Sequence, residues 1–277
     1  MTTPPGITTG GFAGYPFPPD VQAQVINLLV GGAPFAASLT RQPTGRSSIA
    51  WPTAKPTGFA WLDELQPFPV VDLADDAYVV AIAKIGGIVD VSNESVSDTS
   101  INLTNSLSLV LRDSLSRDLD LGILNGTGPP EPVGVIGVAP AALGANLLAQ
   151  VTAAKGSIGD AGGTPDTLAI SATALADEDA KTGTTGDLIY DDGFAAAMGL
   201  TPVVVPALAT PLVYDASRCY LAVRNDAMVE MSRDWHFDRD ATSMRIKARV
   251  TAAIPDPGKA IRKLSVTTQA RSGGKAA

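Results

Sequence analysis

The sequence predicts an α+β fold, and three observations carry that prediction. Leucines recur at every fourth position over a stretch near residues 100–124. A run near the C-terminus alternates apolar and polar residues without a break. Between them the chain switches repeatedly between short helical and short β-like pieces, the pattern of a mixed layer around a central sheet. With 277 residues and 45% hydrophobic content, the chain can bury a real core as one large domain or two intertwined ones.

Composition narrows the function classes. The formal net charge of -8 argues against a protein whose whole surface grips nucleic acid and leaves room only for local basic stripes. Cys219 is the single cysteine, so no internal disulfide and no thiolate cluster can form. Beside Tyr220 and Leu221 it reads as a small buried hydrophobe. The N-terminus, MTTPPGITTGGFAGYPFPPD, carries neither a basic nor an apolar signal segment, and no apolar run is long enough to span a membrane. The expectation is a protein made in the cytoplasm, without a membrane partner.

Taken in order, residues 1 to about 20 are dense in Pro, Gly and Thr and predict an extended arm. Phe12, Tyr15 and Phe17 are costly to leave in water, so that arm is expected to lie on a surface, its own or a neighbour's. Val21 to Val30 reads as a short helix after Asp20, ended by Gly31, Gly32 and Pro34. From Ala37 to about Ala77, β-like pieces (SLTRQPTGRSSIAW) alternate with Pro/Gly-spaced ones (PTAKPTGFAWLDELQPFPV). This predicts a long hairpin excursion carrying Trp51, Phe59, Trp61 and Phe68, and large aromatics on a projecting loop are usually contacts. Tyr78 to Ile85 and the following IVDVSNESV have β character.

Leu103, Leu107, Leu111, Leu115 and Leu119, with Val110 and Ile123 beside them, then predict one amphipathic helix from Ser100 to Leu124. Asp98 or Thr99 is its N-cap, and its length is close to 40 Å at about 1.5 Å per residue. The next stretch, LGILNGTGPPEPVGVIG, has two glycines close together, yet it is no phosphate loop. The glycines follow a helix instead of opening one, and Pro129, Pro130 and Pro132 have no N–H to offer an anion. It reads as a hard helix stop with an extended re-entry.

Helices are expected at Ala141–Ala154 and Ala172–Thr182 and a helical turn at Phe194–Gly199, with strands at Thr167–Ser171, Val203–Val205 and Cys219–Val223. Met244 to Ala252 shows strict alternation. Met244, Ile246, Ala248, Val250 and Ala252 share one face, and Arg245, Lys247, Arg249 and Thr251 the other.

Enzyme chemistry finds little to work with. His236, in SRDWHFDRD, is the single histidine and reads as a surface or turn residue. KGSIG at 155–159 lacks the spacing of a nucleophile elbow. Asp177, Glu178 and Asp179, and Asp191 with Asp192, lack calcium-loop spacing and read as a solvated helix face and a turn. No cofactor is implied. The basic stripe Arg245, Lys247 and Arg249 could touch nucleic-acid backbone or pair with carboxylates of an adjacent chain, for which the excursion offers Asp63, Glu64, Asp72, Asp75 and Asp76. The second reading is favoured, with reversal of Arg245 and Arg249 to Glu expected to block self-association.

The order of these parts resembles the major capsid protein of tailed bacteriophages, the Hong Kong 97-like capsid fold. In that family the spine helix ends in a pattern like G-[DN]-G-T-G-x-P-x-G-I. Leu124-Asn125-Gly126-Thr127-Gly128-Pro129-Pro130-Glu131-Pro132-Val133-Gly134-Val135 is similar, with a slightly longer proline insert. VSNESVSDTS at 91–100 resembles the lead-in to the spine helix, GLTPVVVPAL at 199–208 an axial-domain strand, and FDRDATSMRIKARVTAAIPDPGKAIRKL at 237–264 the terminal peripheral-domain strand with its return.

The resemblance implies an N-arm (1–36), an extended loop (37–77), a peripheral domain (78–136 and 223–257, spine helix about 99–124) and an axial domain (137–222 and 258–270). It implies pentamers and hexamers of the chain forming an icosahedral head around double-stranded DNA held non-specifically, assembled in a bacterial host. Arms and loops would lash neighbouring subunits, with Phe12, Tyr15, Phe17, Trp51, Phe59, Trp61, Asp63, Glu64, Phe68, Arg245, Lys247 and Arg249 as the contacts. The implied partners are a portal, a decoration protein, and a separate scaffolding protein or none, since no charged helical segment precedes the arm. Some members crosslink a loop Lys to an Asn through a Glu. Lys55 could stand in the loop, but Lys247 and Ala248 occupy the Glu's expected place, so no crosslinking is expected. A cellular nanocompartment shell, the encapsulin, shares the fold, but its N-terminus is typically a cargo-binding helix. A soluble α/β enzyme is the remaining alternative.

Overall fold

A computed structural model of the chain describes residues 32–53, 59–70, 77–94, 103–183, 187–236 and 239–265. The arm residues Phe12, Tyr15 and Phe17, the helix expected at 21–30, the N-cap at Asp98 or Thr99, Lys55 and the acids Asp72, Asp75 and Asp76 lie outside them.

The leucine spacing produces the long helix, α2 (Leu103–Asn125), preceded by a short α1 (Pro34–Ser38). The half of α2 whose side chains are described buries Leu115, Leu119, Ile123 and Leu124, while Val110 points outward and is exposed. A four-residue repeat drifts around a 3.6-residue helix, so the buried stripe passes on to Ser116 and Asp120, two polar residues that are also buried.

That helix packs on a sheet of order β1-β8-β9-β4, built from β1 (Thr40–Pro43), β4 (Ala83–Ser92), β8 (Tyr220–His236) and β9 (Ala241–Ala253). β8 and β9 form a long antiparallel hairpin, and β4 adds to the outer side of β9. The alternation in β9 is realised as read. Met244, Ile246, Ala248, Val250 and Ala252 are buried, and Ile246 and Ala248 pack on Leu115 of α2. Thr251, expected on the outer face, is fully buried instead.

The excursion expected from Ala37 starts later. Thr40 to Pro43 pair in parallel with Tyr220 to Val223, and Leu39 is buried, so this piece belongs to the body. A two-stranded ladder, β2 (Ser48–Pro52) against β3 (Ala77–Ala81), then projects, with Ser48 opposite Ala81 at its root and Pro52 opposite Ala77 at its outer end. The single strand expected over Tyr78–Ile85 is thus split between β3 and β4.

The helix stop is a tight turn rather than an extended re-entry. Thr127 bridges Val133, the Gly134 N–H donates to the Gly126 carbonyl at 2.7 Å, and a one-turn helix α3 (Val135–Val138) follows. Two glycines are required by this approach. A Cβ on Gly126 would sit 2.2 Å from the Pro132 carbonyl, and one on Gly134 would sit 2.7 Å from the Gly126 backbone.

A second sheet, β10-β7-β5-β6, comprises β5 (Thr167–Ile170), β6 (Thr201–Val204), β7 (Leu212–Tyr214) and β10 (Ile261–Lys263). All of β5 is buried because both faces are covered. Leu168 and Ile170 pack with α4 (Leu147–Asp160) and with Phe194 of α6 (Phe194–Ala197), and Ala169 faces the larger core. The helix expected at Ala141–Ala154 begins at Leu147, because the Asn146 Oδ1 accepts the Ala149 N–H at 2.8 Å and Ala142 is tied to Lys263. The following α5 (Ala172–Asp179) and α7 (Pro257–Ala260) complete the layer. The larger core joins Phe35 and Ala36 of α1, the end of α2, Leu212 and Tyr214 of β7, and the inner faces of β8 and β9.

Candidate functional site

Most of the residues weighed for catalysis hold structural roles instead. Cys219 is buried, and burial followed by the nearby Asp215 and Asp166 pushes its thiol up to about 12, so it is no nucleophile. KGSIG lies within α4, where Ser157 Oγ donates to the Ala154 carbonyl and accepts from Arg262. Asp177–Asp179 are not simply a solvated face. Glu178 is buried and held by Lys181, and Asp179 accepts the Phe194 N–H at 2.7 Å, capping α6. His236 ends β8 opposite Ala241 rather than sitting in a turn. Among the described residues no three His, Cys, Asp or Glu side chains converge as a metal site.

Two buried acids are likewise taken up by hydrogen bonds within the fold. Burial raises Asp215, but hydrogen bonds from Ser217 and Thr164 overcome this and hold it below the usual carboxylate range. Asp120 is the more consequential one. Its two carboxylate oxygens accept the Phe35 and Ala36 N–H groups of α1 at 3.0 and 2.9 Å, tying the start of the described chain to the long helix. Beside this clamp Phe35 meets Tyr214 edge-on at 5.6 Å, and Ser38 Oγ lies 2.6 Å from the Tyr214 hydroxyl.

Desolvation raises Asp120 from 3.8 to about 6, with the two backbone hydrogen bonds opposing it. A raised folded-state value means stability that is fully present below the unfolded value and lost as pH rises through about 6. The stability of the wild type relative to Asp120→Asn is therefore expected to increase by on the order of 2 kcal/mol between pH 7.5 and pH 4. Urea unfolding of both proteins across that range tests this. A pH-independent difference would mean that Asp120 titrates normally.

What remains without a partner lies on the surface. Beyond β2 and β3 the excursion exposes Phe59, Trp61, Leu65, Phe68 and Val70, with Trp61 at 104% relative exposure. A turn closed by the Gln66 N–H to the Asp63 carbonyl at 3.2 Å presents Asp63 and Glu64, both exposed. Trp51 does not share this exposure. It is half-buried near the Pro52 end of the ladder, stacked on Tyr220 at 5.8 Å and tilted against Tyr78 at 6.4 Å, so it holds the ladder against the body of its own chain.

The basic stripe is split in the same way. Arg245 and Lys247 both bind Glu230 of β8, which their hydrogen bonds, Lys247 first, hold below its ordinary pKa. Arg249 stands apart, opposite Lys84 of β4. Sequence reasoning missed Glu230, Lys84 and Asp120. A lysine interrupting the β run YVVAIAKI and an acid on the apolar side of the leucine helix were the available signals.

The Phage capsid family model matches residues 13–266. No curated protein matches the sequence. A solved structure from Mycobacterium phage Bobi superposes with a TM-score of 0.70 at 19% identity, covering 84% of this chain and 90% of that one. Mycobacterium phage Adephagia gives 0.67 at 17%, covering 84% and 90%. The capsid of a native GTA particle gives 0.67 at 14%, covering 84% and 89%. The fold is thus the Hong Kong 97-like capsid fold.

Proposed function

The chain belongs to the phage capsid family, a structural head-shell protein and not an enzyme, and on that premise we propose that it assembles into pentamers and hexamers closing an icosahedral head. This shell encloses the double-stranded DNA of a tailed bacteriophage and assembles in the host cytoplasm. The observation that carries the reading is the excursion at 59–70. A chain that stayed alone would keep Trp61, Phe59 and Phe68 in water on a single projecting segment, whereas a shell dries them against the next subunit.

In this reading residues 1–36 form the arm, and the segment within 37–77 that leaves the body is the loop that reaches a neighbour. The peripheral part (78–136 and 223–257) carries α2, and the axial part (137–222 and 258–270) carries the second sheet and converges at the symmetry axes. Phe12, Tyr15 and Phe17 contribute from the arm, and Trp51 acts indirectly by holding the ladder of β2 and β3 against the body. Scaffolding, portal and decoration proteins are further partners, and DNA is held without sequence preference.

Negative-stain microscopy with light scattering on the purified chain tests the proposal. Closed shells or capsomer rings are expected. A monomer or dimer that persists on coexpression with the neighbouring genes would overturn it.

A further inference from the structure

Like charges placed directly opposite each other on antiparallel strands repel, and folds normally offset them with a nearby opposite charge. Lys84 and Arg249 are such a pair, facing each other across β4 and β9. Their neighbours Ile85 and Ala248 turn toward α2, so by strand alternation the two cations leave the opposite face of the sheet. Lys84 is exposed and Arg249 half-buried, and among the described residues neither has an ion pair. Glu230, on the same face, is already held by Arg245 and Lys247.

The position of this pair matters as much as its charge. Lys84 follows three residues after Ala81, the root of the projecting ladder. The turn bearing Asp63 and Glu64 falls within the segment that joins Pro52 to Ala77 at the ladder's other end, and among the described residues these carboxylates have no ion pair either. Along the chain, an acidic, aromatic-flanked turn (the tip) and a basic pair (the root) thus flank one ladder.

We infer that the Lys84–Arg249 pair of one copy receives the Asp63–Glu64 turn of a second copy, tip to root. The inference rests on the shell-forming reading and narrows its contact from the stripe Arg245–Arg249 to a pair that includes a residue outside it. Two different patches meet, so the contact is heterologous and propagates around a ring. Trp61 and Phe68, beside the acidic turn, would exclude water and strengthen the charge pairing. Phosphates of packaged DNA could neutralise the same cations, but they would leave the acidic turn and its exposed aromatics unexplained.

The test uses the full chain, followed by light scattering over protein concentration. Lys84→Glu/Arg249→Glu and, separately, Asp63→Lys/Glu64→Lys are each expected to raise the concentration needed for assembly by about tenfold or more. The four substitutions together restore complementarity at unchanged net charge and should return it to within about threefold of wild type. Circular dichroism should remain wild-type throughout, since none of the four side chains belongs to a core. Wild-type assembly by the Lys84/Arg249 variant overturns the inference, as does failure of the fourfold variant to recover. Intact shells that lose only DNA would assign the pair to phosphates and overturn it too. Failure of the wild-type chain to assemble even on coexpression with the neighbouring genes would instead overturn the shell reading itself.

Discussion

Replacing Phe59, Trp61 and Phe68 together by serine is expected to leave the single chain folded and abolish assembly. All three rings are nearly free of intrachain contact, with exposures of 79%, 104% and 89%, so their loss removes nothing from the core. The urea midpoint of the unassembled chain should not move, because surface substitutions of this kind stay within about 0.5 kcal/mol. At an interface the same rings would be anchors. Truncating a buried aromatic anchor costs about 2 kcal/mol or more, so three should raise the assembly threshold by about a thousandfold or more. Light scattering and microscopy read this directly. Shells forming at the wild-type concentration would show that the excursion is not an assembly contact.

The largest expected effect on the fold itself comes from Phe35→Ala. Phe35 is fully buried in the larger core, its ring contacts Tyr214, and its N–H is one of the two held by Asp120. Removing the ring leaves a void where α1, the end of α2 and β7 meet, at a cost of about 3–5 kcal/mol. Urea unfolding should show a lowered midpoint with an unchanged m-value. Because α1 is where the preceding chain joins the body, the variant should also assemble poorly, even at temperatures where it is still folded. A loss below about 1 kcal/mol would mean that the site collapses around the missing ring.

These expectations show which parts of the molecule were legible in advance. α2 and β9 could be read because periodicity is carried by neighbouring residues and needs no knowledge of a partner. The stop after α2 was legible from its glycines and prolines, though its closed form was not. Gly126 and Gly134 approach each other only once the Thr127–Val133 bridge exists. The start of α4 was misplaced because apolar Ala141 to Leu143 look helical, while the Asn146 cap and the tie of Ala142 to Lys263 decide otherwise. Trp51 was grouped with the exposed aromatics because nothing in its surroundings in sequence names Tyr220.

By itself, then, the sequence determined the α+β class, the long helix and its stop, the alternating face of β9, and the presence of aromatics and acids on a Pro-spaced excursion. These follow from steric and hydrophobic rules acting over a few residues. Tertiary structure alone decided that Glu230 claims Arg245 and Lys247 and leaves Arg249 beside Lys84. That choice depends on strand register, which β8 shifts by irregularities at Val223/Asn225 and Asn225/Met228. It alone decided, too, that Asp120 clamps two N–H groups more than eighty positions away. Such partners meet only when the chain has collapsed, and no local pattern encodes which distant backbone will arrive at a buried carboxylate.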